Sequence, residues 1–509
     1  MTRRITLFIL FLMCLAVVSA EGQTATETIV SPDTPMELAD TIPRDPDILV
    51  GRFDNGLAYY IKANQRPENR VELRLVVNAG SVLEDESQRG LAHFVEHMSF
   101  NGTEHFAKHE LVDYLESIGT QFGPDINAYT GFDETVYQLQ IPTDSTPLVE
   151  TAFQILEDWA HGVAFEEVEI DAERGVILEE RRLGLGAGQR MGNKQYPILF
   201  KDSRYAERLP IGLPEVVENC DYETLRRYYR DWYRPDLMAV IAVGDMDPLY
   251  IESLMKKHFA SLPPREEARH RETIEVPDHE NTLYAIASDP EATSSRVGVY
   301  YKHPVSPQGT VADYRRNIVA ALYNNMLSQR LYELTRQADP PFLYGYSDEG
   351  RLVRSCETYM LGAGVKEDGI IRGLEALLVE AARVRQFGFT ESELERQKAE
   401  VLSYMEQAYK ERDKTRSGTL AAEYARNFLQ DEPIPGIAYE YAMYRRYLPD
   451  ITLEEVNSLA QRWITDANRV VMVNMPEKPD LPVPTEQELR AVFAAVDTVA
   501  ISPYEDQTM

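Results

Sequence analysis

Cysteine is almost absent. The 509 residues contain three, and Cys14 falls in the opening apolar stretch, so Cys220 and Cys356 alone lie beyond it. Two cysteines far apart in sequence make no disulfide framework. The fold must rest on a buried core, which a chain of this length can build. Positive charge is also short: 52 Lys and Arg stand against 83 Asp and Glu, a net charge of −31. Such a chain repels nucleic acid and anionic lipid, so neither is a partner. The charge serves solubility, or a mild preference for basic or neutral peptides. Long hydrophobic runs are missing after residue 20, which excludes a later membrane span. No Gly-rich phosphate loop follows a strand, so no nucleotide cofactor has a signature.

What is present begins with a leader. Arg3 and Arg4 precede the apolar run Ile5–Val18, and Val18-Ser19-Ala20 ends it with small residues at the −3 and −1 positions. That is a secretory signal over 1–20, cut after Ala20. The alternative, a membrane anchor, needs a run of about 20 residues. Losing the two arginines makes the formal charge −31 − 2 = −33. An exported chain with so little cysteine fits a Gram-negative periplasm better than an animal extracellular space.

Residues 21–45, rich in Thr, Pro and Asp, read as a tether. "VGRFDNGLAYYIKAN" is a hairpin signal around Asp54-Asn55-Gly56. "VELRLVVNAGSV" reads as a central strand, "INAYTGFDETVYQLQI" as two strands about a turn, and 90 onward, 108–118, 147–162 and 167–183 as helices. Strands mixed with helix pairs, without a βαβ rhythm, predict an α+β sandwich. One internal echo organises the rest. "DWYRPDLMAVIAVGD" (231–245) and "RWITDANRVVMVNMP" (462–476) share a helix end, a turn and a buried strand. This predicts two homologous domains of about 220 residues, 46–265 and 275–478, followed by a linker-like tail over 479–509.

"LAHFVEHMSFNGT" carries the chemistry. His93 and His97, four residues apart on a helix, project from one face. Two imidazoles so placed are what a tetrahedral zinc takes from one element. Glu96 reaches the edge of that face, where a carboxylate can act as general base toward a metal-bound water. With nine histidines in the chain, His-x-x-Glu-His arises by accident at about the 1% level. A third ligand is required. Glu173 and Glu180, seven residues apart in "EEVEIDAERGVILEERRLG", share a helix face, and Glu179 is the rival, about 100° away.

At these residues the chain resembles the pitrilysin/insulinase family of inverted zinc peptidases, and within it the periplasmic, pyrroloquinoline-quinone-associated subset. "GLAHFVEHMSFNGT", "INAYTGFDETVYQL" and "ERGVILEE" stand in the family's order, and the match covers about 45 to 480. The resemblance implies zinc held by His93, His97 and Glu180, Glu96 as catalytic base and Glu173 as a supporting acid. It implies two α/β-sandwich domains forming half of a clamshell chamber, the second without a metal motif. Asn127 and Ala128 match the edge strand on which the family lays an extended peptide, a mode that binds by backbone hydrogen bonds. Arg336 and Tyr344 are candidates for holding the substrate carbonyl, with a structural Arg and a core Tyr as the other reading. The function implied is endoproteolysis of peptides or small unfolded proteins. A non-catalytic peptide-binding or assembly subunit is the alternative. The chamber's second half would come from a homodimer, a partner chain or a continuation.

Overall fold

Alternation and burial decide the strands. In "RVELRLVV" (Arg70–Val77) the residues Val71, Leu73, Leu75 and Val77 are fully buried on one face. The other face, with Glu72, Arg74 and Val76, is buried too, so this strand is covered on both sides. The computed structural model describes residues 36–506 except His109, Phe122 and Glu266. The signal segment and residues 21–35 therefore lie outside the described residues.

The first sheet contains β1 (Leu49–Arg52), β2 (Ala58–Ala63), β3 (Arg70–Val77), β4 (Ile126–Thr130), β5 (Thr135–Pro142) and β6 (Met238–Gly244). The second contains β7 (Leu283–Asp289), β8 (Ser295–Pro304), β9 (Tyr344–Val353), β10 (Cys356–Val365) and β11 (Arg469–Pro476). Their orders are β1-β2-β6-β3-β5-β4 and β7-β11-β8-β10-β9. Without the β1 hairpin strand the two orders are the same. In each, one pair is parallel (β2 with β6, β7 with β11) and the rest are antiparallel. The echo in the sequence falls at matching places, because helices Tyr222–Trp232 and Leu453–Trp463 end just before β6 and β11.

Each half lends a helix to the other. Helix Ser417–Gln430, from the second half, lies on the outer face of the first sheet. Its Ala421, Tyr424, Ala425 and Leu429 cluster with Ala58, Tyr60, Val76, Ile241 and Val243. That is why β3 has no wet face. In return, helix Ala187–Leu199 lies on the second sheet. Gln195 Nε2 donates to the carbonyls of Ala285 and Val473, both at 2.9 Å, and the buried Lys302 donates to Leu199 O at 3.2 Å.

Two segments expected to be loose are packed. Met36 and Ile42 are buried with Val311, Tyr439, Met443 and Tyr447. Ile42 N–H donates to Gly309 O at 2.8 Å, and Tyr447 Oη to Met36 O at 2.6 Å. Residues 36–45 are thus a strap rather than a tether, because their few apolar side chains find a groove. The tail is also folded. Helix Glu486–Val496 buries Leu489, Val492 and Val496 in the second core. Beyond it, the Tyr504 ring lies 4.0 Å from the buried Arg330 guanidinium. Cys220 and Cys356 are both free, and no helix of the described residues is long and apolar enough to cross a membrane.

The exchanged helices couple the halves. Tyr424→Ala empties a fully covered site on the first sheet although the residue lies in the second half. It should cost about 3–5 kcal/mol. Calorimetry should still record one transition, shifted down, for the whole chain; two separate transitions would mean that the halves fold independently.

Candidate metal centre

The histidine helix, Leu91–Met98, buries Leu91, Phe94, Val95 and Met98 completely. That face anchors it and leaves His93 and His97 on the partly open side. Its start is tightly set. Gly90 has φ +106°, and a Cβ on Gly212 would lie 2.1 Å from Gly90 Cα, so only glycines allow this approach. The glutamate helix, Glu167–Gly184, buries Ile170 and Ile177 and turns Glu173 inward. Arg174 pins it, donating to Val217 O at 2.6 Å and Cys220 O at 2.8 Å.

The two helices bring the predicted donors together. Glu180 Oε2 is 3.1 Å from His97 Nε2 and 3.7 Å from His93 Nε2. One donor atom each from His93, His97 and Glu180 lie within 4.8 Å of one another, the sole such group of three or more His, Cys, Asp or Glu among the described residues. Tetrahedral ligand atoms around zinc stand about 3.3 Å apart, so the donor set fits that ion. Glu173 is not part of it. Its Oε1 accepts from His97 Nδ1 at 2.8 Å, which turns Nε2 toward the centre, as a metal's supporting carboxylate does. Glu179 pairs instead with Arg182 on the exposed side.

Electrostatics follow from this geometry. Burial, with help from the neighbouring His97, pulls His93 down to about 4, so it is neutral and ready to ligate. Burial also disfavours charge on His97, but its hydrogen bonds to Glu173 and Glu180 outweigh that and raise it to about 9. Glu180 is lowered by its hydrogen bond from His97. His97 thus lies between two carboxylates that favour its charged form. Because the folded value exceeds the ordinary 6.5, this contributes stability below that pH and loses it as pH rises through about 9.

Glu96 is 8% exposed, and burial raises its carboxyl. Its Oε2 accepts from Thr130 Oγ1 at 2.6 Å. The strand–turn–strand signal of "INAYTGFDETVYQLQI" carries no sign of this bond, because no spacing rule links positions 34 apart. β4, which carries Asn127, Ala128 and Thr130, is the sheet's outermost strand and pairs with β5 alone. Asn127 and Tyr129 are exposed, and Asn127 Oδ1 accepts from Ala128 N–H at 2.9 Å. A second residue that the sequence did not single out is Glu84, 2% exposed. It accepts from Gly90 N–H at 3.0 Å and Ala92 N–H at 2.8 Å, and burial pushes it up to about 8.

Arg336 and Tyr344 lie elsewhere. Arg336 ends helix Val311–Thr335 and donates to Tyr332 Oη at 3.0 Å. Tyr344 opens β9, exposed, with its ring over Gly364, where a Cβ would come within 2.2 Å of it. Tyr344 is therefore no core tyrosine, and among the contacts of the described residues none joins either side chain to His93, His97 or Glu180. The second half has a cavity of about 430 Å³ between helices Val311–Thr335 and Glu391–Lys410, lined by Asn325, Ser328, Gln329, Gln397, Glu400 and Tyr404. Aligning Phe165 with Phe389 sets Gln397 opposite Glu173 and Tyr404 opposite Glu180. Amides and a phenol there replace the donors.

Two imidazoles and a carboxylate converging, with a buried acid beside them, are the constellation of a mononuclear metallohydrolase. The chain belongs to the insulinase family, peptidase family M16. Residues 59–183 match "Insulinase (Peptidase family M16)" and residues 219–401 match "Peptidase M16 inactive domain". It is 35% identical over 464 residues to "Zinc protease PQQL-like" of Arabidopsis thaliana, covering 90% of this chain and 45% of that protein. It is 31% identical over 428 residues to "Probable zinc protease PqqL" of Escherichia coli, covering 84% and 45%. The crystal structure of the first half of the periplasmic protease PqqL from Escherichia coli superposes with a TM-score of 0.85 at 26% identity, covering 92% of this chain and all of that one. The chain spans about half the length of the curated relatives it matches.

The proton on His97 gives a test. Zinc titrated into metal-free protein near neutral pH should release about one proton, which calorimetry in buffers of different ionisation enthalpy reads. Affinity should climb as pH rises toward about 9. Glu173→Gln should release less, because His97 loses the carboxylate that holds its charge.

Proposed function

We propose that the chain is the zinc-bearing part of an endopeptidase that cleaves peptides or small unfolded proteins, in the periplasm of a Gram-negative bacterium. The observation that carries this reading is the convergence of His93, His97 and Glu180 with Glu96 held beside them by Thr130 of the edge strand. His93, His97 and Glu180 would hold zinc, which when bound supplies a Lewis acid and water acidified toward neutral pH. Glu96 takes the proton of the attacking water and hands it to the leaving amine. Burial of Glu96 suits that task, since a raised carboxyl is a stronger base toward the proton of water than an exposed one. An extended peptide adds to the open edge of β4, where the backbone groups of Ala128 face outward, while those of Asn127 face Gln138 of β5 and its exposed side chain borders the peptide. Affinity then comes largely without side-chain sequence, and selection falls on extendedness.

The same strand ends in Thr130, so the element that binds the peptide also aims the base. Arg336 and Tyr344 stay candidates for the substrate carbonyl only if the halves of a larger chamber bring them near it. The relatives are about twice as long, which supports a second half contributed by a homodimer, a partner chain or a continuation. The homologue names and the periplasmic description of the Escherichia coli protease support the reaction and the compartment.

Glu96→Gln should lower peptide cleavage by about 10²–10⁴-fold while zinc content stays near one equivalent, by metal analysis. Full activity in that variant, or in chelator-treated protein, would refute the reading. Thr130→Val keeps shape but deletes the hydroxyl. It should cut kcat about tenfold, as loss of one aimed hydrogen bond to a charged group does, while Thr130→Ser restores it.

A further inference from the structure

His97 is steered by a side chain, and His93 is not. Glu173 holds Nδ1 of His97 at 2.8 Å. Nδ1 of His93 is buried and has no hydrogen-bond partner among the described residues. The His93 ring therefore stands where its backbone puts it. That backbone is clamped one residue upstream. Glu84 Oε1 accepts from Ala92 N–H at 2.8 Å and Oε2 from Gly90 N–H at 3.0 Å, so each oxygen takes one amide of the helix start. Gly90 has no side chain to cap the helix, and Glu84 supplies the acceptors from six residues away.

The clamp is itself held. Arg208, 4% exposed, donates from Nε to the main-chain oxygen of Glu84 at 3.1 Å, and Ser81 Oγ donates to Arg208 O at 2.6 Å. Leu213 N–H donates to Arg89 O at 3.1 Å, which brings Gly212 against Gly90 and closes the pocket. Glu84 uses both of its carboxyl oxygens, one on each amide, where a side-chain amide would have a single acceptor oxygen. His93 is the third residue of the helix, so the turn that these two contacts fix is the turn that carries it.

We propose that Glu84 is a positioning residue of the metal centre, setting His93 through the Gly90 and Ala92 amides, as Glu173 does for His97 through its ring. This rests on the reading that His93, His97 and Glu180 hold zinc, and wild-type protein that binds no zinc would end both. Glu84→Gln keeps the size but leaves one acceptor oxygen for the two amides. Zinc affinity, by competition with a chelating dye, should fall about tenfold or more, the usual effect of losing a ligand's supporting group. The KM for peptide should stay within about twofold, because β4 is untouched. The Tm of metal-free protein separates capping from positioning. A lowered Tm with wild-type zinc affinity and wild-type kcat would mean that Glu84 only caps the helix, and would overturn the proposal. Should Glu84→Gln fail to fold, Glu84→Asp decides. It keeps the carboxyl group but is too short to span both amides, so weakened zinc binding supports the proposal, and wild-type zinc affinity overturns it.

Discussion

Everything at the site depends on one helix crossing. The histidine helix and the glutamate helix approach so that His97 sits between two carboxylates seven residues apart, Glu173 on Nδ1 and Glu180 on Nε2. Neither helix could be moved by a turn without losing one of the two contacts. The crossing is fixed from behind by apolar burial of Phe94, Ile170 and Ile177, at about 25 cal/mol per Å² of apolar surface removed from water. It is fixed from the side by Arg174 on the carbonyls of Val217 and Cys220. The polar geometry is thus set by apolar packing, which is stiff because interiors are close-packed.

The repeated domain makes the second constraint visible. Two sheets of the same strand order have diverged in what they place between equivalent helices: imidazoles and carboxylates in the first, and in the second amides, a phenol and the carboxylate of Glu400 without an imidazole. The scaffold survives that exchange because its stability lies in the cores and in the reciprocal helices, Ala187–Leu199 and Ser417–Gln430. Since each half covers a face of the other, neither sheet has two finished faces alone.

Much of this was legible in the sequence, for a definite reason. His93, His97, Glu173 and Glu180 are related by spacings of four and seven, and helix periodicity converts those numbers directly into faces. The hairpin at Asp54-Asn55-Gly56 and the strand pair around Gly131 were readable because turns are local chemistry. What the sequence hid was non-local. Thr130 meets Glu96 and Arg208 meets Glu84 only because the fold folds back, and no period joins those positions. The strap at Met36 and Ile42 was misread as a tether, and the tail as a linker although its short amphipathic helix is legible, for the opposite reason. Their composition is polar and Pro-rich, yet a few apolar residues at the right places are enough to dock a segment onto an existing core.

One asymmetry follows from the same crossing. His97, between Glu173 and Glu180, is raised to about 9 by its hydrogen bonds to them. His93 does not share that state, because burial and the charge on His97 hold it neutral. The two histidines of one motif therefore differ in state before any metal arrives, one charged and one a waiting donor. The difference comes from which ring nitrogen finds a carboxylate, and so from the same helix crossing that sets the geometry.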